Sequence, residues 1–327
     1  MGIFLNSAAP YSLYESEVKK PYFVDKSLML EELFLPAETG NSHICITRPR
    51  RFGKTVMANM VSAFFSRGVD STEIFSKLKI AESTGYKKHL NTHDVIRIDF
   101  SRMPRNCNSY DKYIERIERI LIQDLMEAYP KADIQEEDAV WDSLDLVYER
   151  YGGQRFIFVF DEWDCIFHKD FITDEDKKKY ISFLSSLLKD KAYVLLSYMT
   201  GILPIAKYSS GSELNMFAEY TMVSEEKFSD AFGFTEVEVD MLYARFLKNT
   251  GKPLLSRSGL KEWYDGYHAK GGERIYNPRS VVMALTNNNL GNYWTSSGPY
   301  DEIYYYIEKN VAGVRNDLAL MVSGESV

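Results

Sequence analysis

Two short runs of residues carry the chemistry in this sequence. The first is Arg48-Pro49-Arg50-Arg51-Phe52-Gly53-Lys54-Thr55. Its Gly-Lys-Thr end has the residue types that hold a phosphate. Gly53 lets the backbone approach closely, Lys54 reaches the β- and γ-phosphates, and the Thr55 hydroxyl ligates Mg2+. The usual spacing is G-x-x-x-x-G-K-[ST], and here Arg48 stands where the first glycine belongs. A bare Gly-Lys-Thr also suits a solvated basic turn that caps a helix. The second run is Phe156-Ile157-Phe158-Val159-Phe160, which ends in Asp161-Glu162. A carboxylate pair after an apolar strand is the Walker B pattern: Asp161 would bind Mg2+ and Glu162 would polarise the attacking water. Taken alone, the pair could simply end a buried strand; together the two runs point to a nucleotide site.

Further candidates surround these runs. Thr200 ends another β-prone run, where a polar residue could meet the γ-phosphate or the water; an ordinary strand end followed by Gly201 is the other reading. Arg50 and Arg51 could stabilise charge on a transferring phosphoryl group, or pair with Asp99, Asp161 or Asp164. Arg48 reads as structural.

The elements that must position these groups follow from periodicity. His43–Thr47 is a short strand. After the loop, Val56, Met60 and Phe64 recur every four residues, as do Met57, Val61 and Phe65, forming one apolar helix face. A helix starting at Lys54 adds N–H donors and a dipole favourable to phosphate. Residues 11–35 read as a loop followed by a short helix capped by Ser27. Val95–Phe100 is a strand, and Ile114, Ile117, Leu121 and Leu125 mark a long amphipathic helix before Pro130. Phe156–Phe160 is apolar throughout, as in a strand covered on both faces. A helix over 174–189 opens with Thr173 and Asp176 at capping-box spacing. Tyr193–Thr200 and Tyr220–Val223 complete five strands. Strands alternating with helices imply an α/β fold with a parallel sheet. Beyond residue 228 the pattern turns helical. Thr235 and Glu238 form a capping box before a helix that Gly251 ends, 269–274 is a turn, Asn277-Pro278 is an N-cap with a first-turn proline, and short helices fill 300–322.

Composition sets the limits. The 327 residues are 45% hydrophobic, 26% charged and 14% aromatic, which is globular usage. At about 150 residues per domain, two domains are expected: an ATPase-like core over 1–227 and a smaller unit over 228–327. The net charge of −8 argues against a protein that mainly coats nucleic acid. Three scattered cysteines suggest neither a zinc site nor a disulfide framework. No membrane-length apolar run and no signal peptide is evident, so a soluble cytoplasmic protein is expected.

An ordered series of motifs extends the reading: Phe23-Val24-Asp25-Lys26-Ser27, Ile46 through Thr55, Phe160-Asp161-Glu162-Trp163-Asp164, Met199-Thr200-Gly201-Ile202, Ala231-Phe232-Gly233-Phe234-Thr235, Trp263-Tyr264-Asp265-Gly266-Tyr267 and Ile275-Tyr276-Asn277-Pro278-Arg279-Ser280. In these the chain resembles the bacterial AAA-ATPase-like family from about residue 10 to its end. That family normally lacks the leading glycine and carries the Arg-Pro-Arg-Arg-Phe-Gly-Lys run instead. It is related to archaeal-type and signal-transduction (STAND) ATPases, which implies a P-loop sheet in the order 5-1-4-3-2 with a helical or winged-helix lid. The resemblance implies ATP and Mg2+ as cofactors. Nucleotide contacts would come from Pro49, Phe52, Gly53, Lys54, Thr55 and Val56, with Asp25 upstream and Pro278 from the lid. Local helix capping competes as the role of Asp25, and simple N-capping competes at Asn277-Pro278. Many members carry a C-terminal PD-(D/E)XK nuclease domain, and this sequence stops about where that domain would begin. The expected activity is slow ATP hydrolysis used as a conformational switch toward an unknown protein partner. A non-hydrolysing nucleotide-binding scaffold and the ATPase module of a nuclease-linked system are the alternatives.

Overall fold

The computed structural model describes residues 2–208, 211–222, 227–268 and 273–293. The elements run α1 (Ala9–Val18), α2 (Glu31–Thr39), β1 (Ser42–Thr47), α3 (Lys54–Phe65), the single turns α4 (Thr72–Phe75) and α5 (Tyr86–His89), β2 (Asp94–Asp99), α6 (Tyr110–Ala128), α7 (Val140–Arg150), β3 (Phe156–Asp161), α8 (Asp174–Leu188), β4 (Val194–Gly201), β5 (Ala218–Tyr220), α9 (Glu236–Asn249), α10 (Arg257–Tyr264), β6 (Asp265–His268), β7 (Arg274–Tyr276) and α11 (Pro278–Asn287).

The first five strands form one sheet in the order β2-β3-β4-β1-β5, and every pairing is parallel. Read from the β5 edge, the order is 5-1-4-3-2. Parallel neighbours need crossovers, and these are helices that cover both faces. Alternate strand residues face opposite ways, which the core reflects. Ile44, Ile46, Val95, Ile157, Val159, Leu196 and Tyr198 pack with α1, α2 and α3. Cys45, Ile96, Ile98, Phe156, Phe158 and Phe160 pack with α6, α7 and α8. The strands are therefore largely apolar on both sides, and Thr47, Asp99, Asp161 and Thr200 lie at or beside their C-terminal ends.

The parallel α/β architecture stands as read from the sequence, with local differences. Residues 9–18 are helical rather than looped. Ser27 lies in a 3-10 turn, and its hydroxyl accepts from the Ile80 N–H instead of capping a helix. The fifth strand lies at 218–220, two residues earlier than its apolar run suggested; of that run, Val223 is outside the described residues. Both capping boxes, Thr173 with Asp176 and Thr235 with Glu238, are formed. The helix over 236–249 ends before Gly251, with Thr250 as its C-cap. Asp265-Gly266-Tyr267 follows directly on α10 and begins β6, which pairs antiparallel with β7. The helices expected over 300–322 lie outside the described residues.

A third apolar cluster joins α9, α10, α11 and β7, and includes Tyr22 from the N-terminal segment. Polar links reinforce this junction. Lys26 pairs with Glu238 at 2.6 Å, both largely buried, and Arg245 donates to the Pro21 and Phe23 carbonyls.

The N-terminal segment is held by one side chain. Buried Asp124 on α6 accepts from the Ile3, Phe4 and Leu5 backbone N–H groups at 2.9, 2.6 and 3.0 Å. Asp124→Ala removes a charged acceptor from three donors and is expected to cost about 2–3 kcal/mol. Urea unfolding measures this; an unchanged midpoint would show that the segment lies outside the cooperative unit.

Candidate nucleotide-binding site

The loop between β1 and α3 is fixed at both ends by its own side chains. At the first end, Arg48 is only 1% exposed. Its guanidinium donates to the Thr47 and Tyr220 carbonyls at 2.8 Å and to Phe228 O at 3.2 Å, and it stacks on the Phe232 ring. Burial lowers its pKa to about 10, so it stays charged at neutral pH. At the other end, Phe52 is buried against Ile275 and meets the edge of Tyr267 at 4.7 Å. Two left-handed residues flank the second anchor, Arg51 (φ 70°) just before Phe52 and Gly53 (φ 88°) just after it. A Cβ built on Gly53 would meet nothing within 4 Å, so its conformation, and not crowding, calls for glycine there. The same open space lets a ligand reach the loop backbone.

Lys54, first residue of α3, is 6% exposed and donates from Nζ to the Arg48 and Pro49 carbonyls at 2.8 and 3.1 Å. Burial pushes its pKa down, while Asp164, Glu162 and Asp161 pull it up. The loop and the end of β3 are thus in electrostatic contact. Thr55 is exposed, and Val56 is half-buried against the core.

Asp161 ends β3 at 1% exposure and is held from both neighbouring strands. Thr200 of β4 donates to Oδ1 at 2.7 Å, and Arg97 of β2 donates from Nη2 to Oδ2 at 3.3 Å. Glu162 takes a left-handed conformation (φ 51°), uncommon for a residue with a side chain and often found at functional sites. Its pKa is raised, first by burial and then by Asp161, against the pull of Lys54. Asp164, also buried, accepts from the Ile202 and Leu203 N–H groups at 2.8 and 3.2 Å and so fixes the turn after β4. Buried Trp163 lies over Gly201, where a Cβ would come within 2.4 Å of its Nε1. That explains why the Asp-Glu-Trp-Asp and Thr-Gly runs occur together.

The structure thus brings together Lys54, Asp161, Glu162 and Thr200, with Arg50 within electrostatic reach of Lys54 and Glu162. Arg51 and Arg279 are close enough to repel, which after burial contributes to the lowered pKa of Arg51; Arg51 also donates to Tyr293 O at 2.6 Å. The α11 terminus reaches the loop through Asn277, which caps Ser280 N and donates to Arg50 O at 3.5 Å, so Pro278 stands beside the loop. The Phe52 side chain packs against the β6–β7 hairpin. The Asp25 carboxylate accepts from Ser27 N and, 54 residues along the chain, from Lys79 N. The Thr200 hydroxyl is directed at Asp161. Arg97 escaped the sequence reading; its signal is one cation inside the apolar strand Val95-Ile96-Arg97-Ile98.

Among the described residues, no three His, Cys, Asp or Glu side chains are grouped to hold a metal ion. Mg2+ does not need such a cage: it takes one or two protein oxygens and completes its shell with phosphate and water. Asp161 and Thr55 are oxygen donors of that kind. Among the described residues, no helix is long and apolar enough to cross a membrane.

Residues 14–210 match a family described as "Predicted AAA-ATPase". An uncharacterized protein encoded in the vnfD 5' region of Azotobacter chroococcum mcd 1 is 26% identical over 282 residues, covering 85% of this chain and 51% of that protein. The chain therefore spans about half the length of this curated relative. Among solved structures, the Walker-type ATPase paby2304 of Pyrococcus abyssi is similar at 13% identity, over 91% of this chain and 74% of that one, with a TM-score of 0.44. The ORC2 protein of Aeropyrum pernix is similar at 12% identity, over 85% and 69%, with a TM-score of 0.40. On the match that spans its phosphate loop and its Asp161-Glu162 pair, the chain belongs to the predicted AAA-ATPase family.

Proposed function

We propose that the protein binds Mg-ATP at the loop 48–55 and hydrolyses it slowly, as a cytoplasmic conformational switch. The observation that carries this reading is the convergence of Lys54 with Asp161 and Glu162 at the ends of adjacent elements. In this reading Lys54 leaves the loop carbonyls to meet the β- and γ-phosphates. Thr55 and Asp161 hold Mg2+, which screens phosphate charge when bound. Glu162 orients the attacking water, and Arg50 and Arg51 offset developing charge on the phosphoryl group.

The output would be motion of the unit 228–327 on the core 1–227. Asn277 and Phe52 join that unit to the loop itself, so a change in the loop would be felt there. A protein partner would read the motion. A second reading, a non-hydrolysing nucleotide-binding scaffold, draws on the two hydrogen bonds that commit Lys54 to the loop carbonyls.

Titration calorimetry with Mg-ATP tests the site. Lys54→Ala is expected to abolish saturable binding that the unaltered protein shows; absence of binding to the folded, unaltered chain would sink the reading. Glu162→Gln is expected to keep ATP binding and lower turnover about 10²–10⁴-fold, the usual contribution of a positioned base. An unaltered rate of zero with ATP still bound favours the scaffold, whereas a Gln variant that matches a measurable unaltered rate would remove Glu162 from the mechanism.

The pH profile follows from the raised Glu162 pKa. The ionised carboxylate is the working form, so turnover should fall as pH drops through a value above that of an ordinary glutamate. A rate that stays flat down to the ordinary glutamate range would remove Glu162 from the mechanism.

A further inference from the structure

Glu162 holds a backbone conformation that its own side chain does not favour. Among the described residues, ten that are not glycine have positive φ, and seven of these are Asn or Asp, which tolerate it. Glu162 belongs to the other three, with Arg51 and Phe228. Such a conformation persists only where the surroundings over-determine it.

What surrounds Glu162 is the segment 200–203 at the end of β4. Thr200 donates to Asp161 Oδ1 at 2.7 Å, and its carbonyl accepts from Trp163 N at 3.1 Å. The Ile202 and Leu203 N–H groups both donate to Asp164 Oδ2, at 2.8 and 3.2 Å. Residues on both sides of Glu162 are thus bonded to one neighbouring segment. That segment is also tied to the phosphate loop, because Arg48 N donates to Gly201 O at 3.2 Å.

Three side chains face this brace with different duties. Asp161 and Thr200 belong to the candidate site itself, while the hydrogen bonds of Asp164 lead only to backbone. Asp164 is 1% exposed. Burial disfavours its ionised form; the two N–H bonds, Lys54 and His168 favour it. It is also the carboxylate that acts most strongly on Lys54, ahead of Glu162 and Asp161.

We infer that Asp164 is a positioning residue for the hydrolysis proposed above. By clamping Ile202 and Leu203 it holds the turn 161–164 against the end of β4, and so keeps Glu162 in the left-handed conformation from which its carboxylate orients the water. The inference rests on the ATPase reading. Asp164 acts through Glu162, so its loss should slow the chemical step without weakening the hold on ATP.

Single-turnover hydrolysis of radiolabelled Mg-ATP by the full chain, with ATP affinity from calorimetry, separates the two. Asp164→Ala is expected to slow hydrolysis of bound ATP about 10–100-fold, the scale of an ångström-sized misplacement. ATP affinity should hold or tighten, because a carboxylate that competes with phosphate for Lys54 is gone. Asp164→Asn keeps an oxygen for the two N–H groups and should lose only several-fold. In a Glu162→Gln background, Asp164→Ala should cost nothing further, as for residues that act as one unit.

A full rate in folded Asp164→Ala would overturn the assignment. So would an ATP affinity that falls along with the rate, or a loss that repeats in full in the Glu162→Gln background. Circular dichroism checks the fold; if Asp164→Ala does not fold, Asp164→Asn takes its place in the same cycle, and its several-fold loss should vanish in the Glu162→Gln background. An unaltered protein that never hydrolyses ATP would bring down the ATPase reading and this assignment together. Hydrolysis by the unaltered protein with no effect of Asp164 brings down this assignment alone.

Discussion

A carboxylate at the buried end of a sheet must be compensated, and how Asp161 is compensated organises the rest of this protein. An uncompensated buried charge costs several kcal/mol, about 3–5 when one partner of a buried pair is removed. Asp161 avoids that cost by accepting from Thr200 on one side and Arg97 on the other. These residues come from β4 and β2, the two neighbours of β3, so the chain of contacts crosses three adjacent strands near their C-terminal ends. A one-residue slip of either neighbour would turn its side chain to the opposite face and leave Asp161 with one partner. The interaction that poises the carboxylate therefore also selects the register that brings Glu162, Trp163 and Asp164 to the site.

Arg48 resolves a second apparent conflict. A phosphate loop that opens with arginine instead of glycine departs from the usual pattern, yet this arginine points away from the loop's open side. Its donors satisfy carbonyls of Thr47, Tyr220 and Phe228, which come from three separate segments. A glycine there would leave those carbonyls without their donor. Among the described residues no carboxylate pairs with it; three carbonyl dipoles and the Phe232 ring surround the charge. The requirement for left-handed backbone falls instead on Arg51 and Gly53, nearer the helix.

What could be read in the sequence is what local chemistry determines. The strand–loop–helix unit, the apolar β3 run and the two capping boxes each rest on residues close together in the chain. Helix α1 was missed because it buries only Pro10 and Tyr14, and Tyr14 finds its partner in Phe75, stacked at 5.5 Å from a distant turn. The β6–β7 hairpin was missed for a related reason. Its strands are four and three residues long, and its first contains a glycine that reads as a turn. It is held in place by Phe52 and by the paired backbones of Phe234 and Tyr276. The role of Arg97 has no local sign, because its partner is 64 residues away.

The same geometry indicates where a ligand at the loop would act. The guanidinium of Arg48 holds the start of the loop to the core, and the Phe52 ring holds its end to the hairpin. Pro49, Arg50 and Arg51 lie between these two fixed points. Lys54 donates to the carbonyls of Arg48 and Pro49, so a phosphate that drew its ammonium away would release acceptors at the start of that same segment. Two neutral acceptors would be exchanged for charged oxygens, whose hydrogen bonds are about twice as strong. The freed carbonyls, short of a donor, would then favour a rearranged loop. The contacts next along the chain are Asn277 on Arg50 O and Arg51 on Tyr293 O, both beyond the core sheet. With the two ends of the loop fixed, such a change at Lys54 would be passed to the start of α11 more readily than back into the sheet, where Arg48 is bonded to carbonyls of three segments.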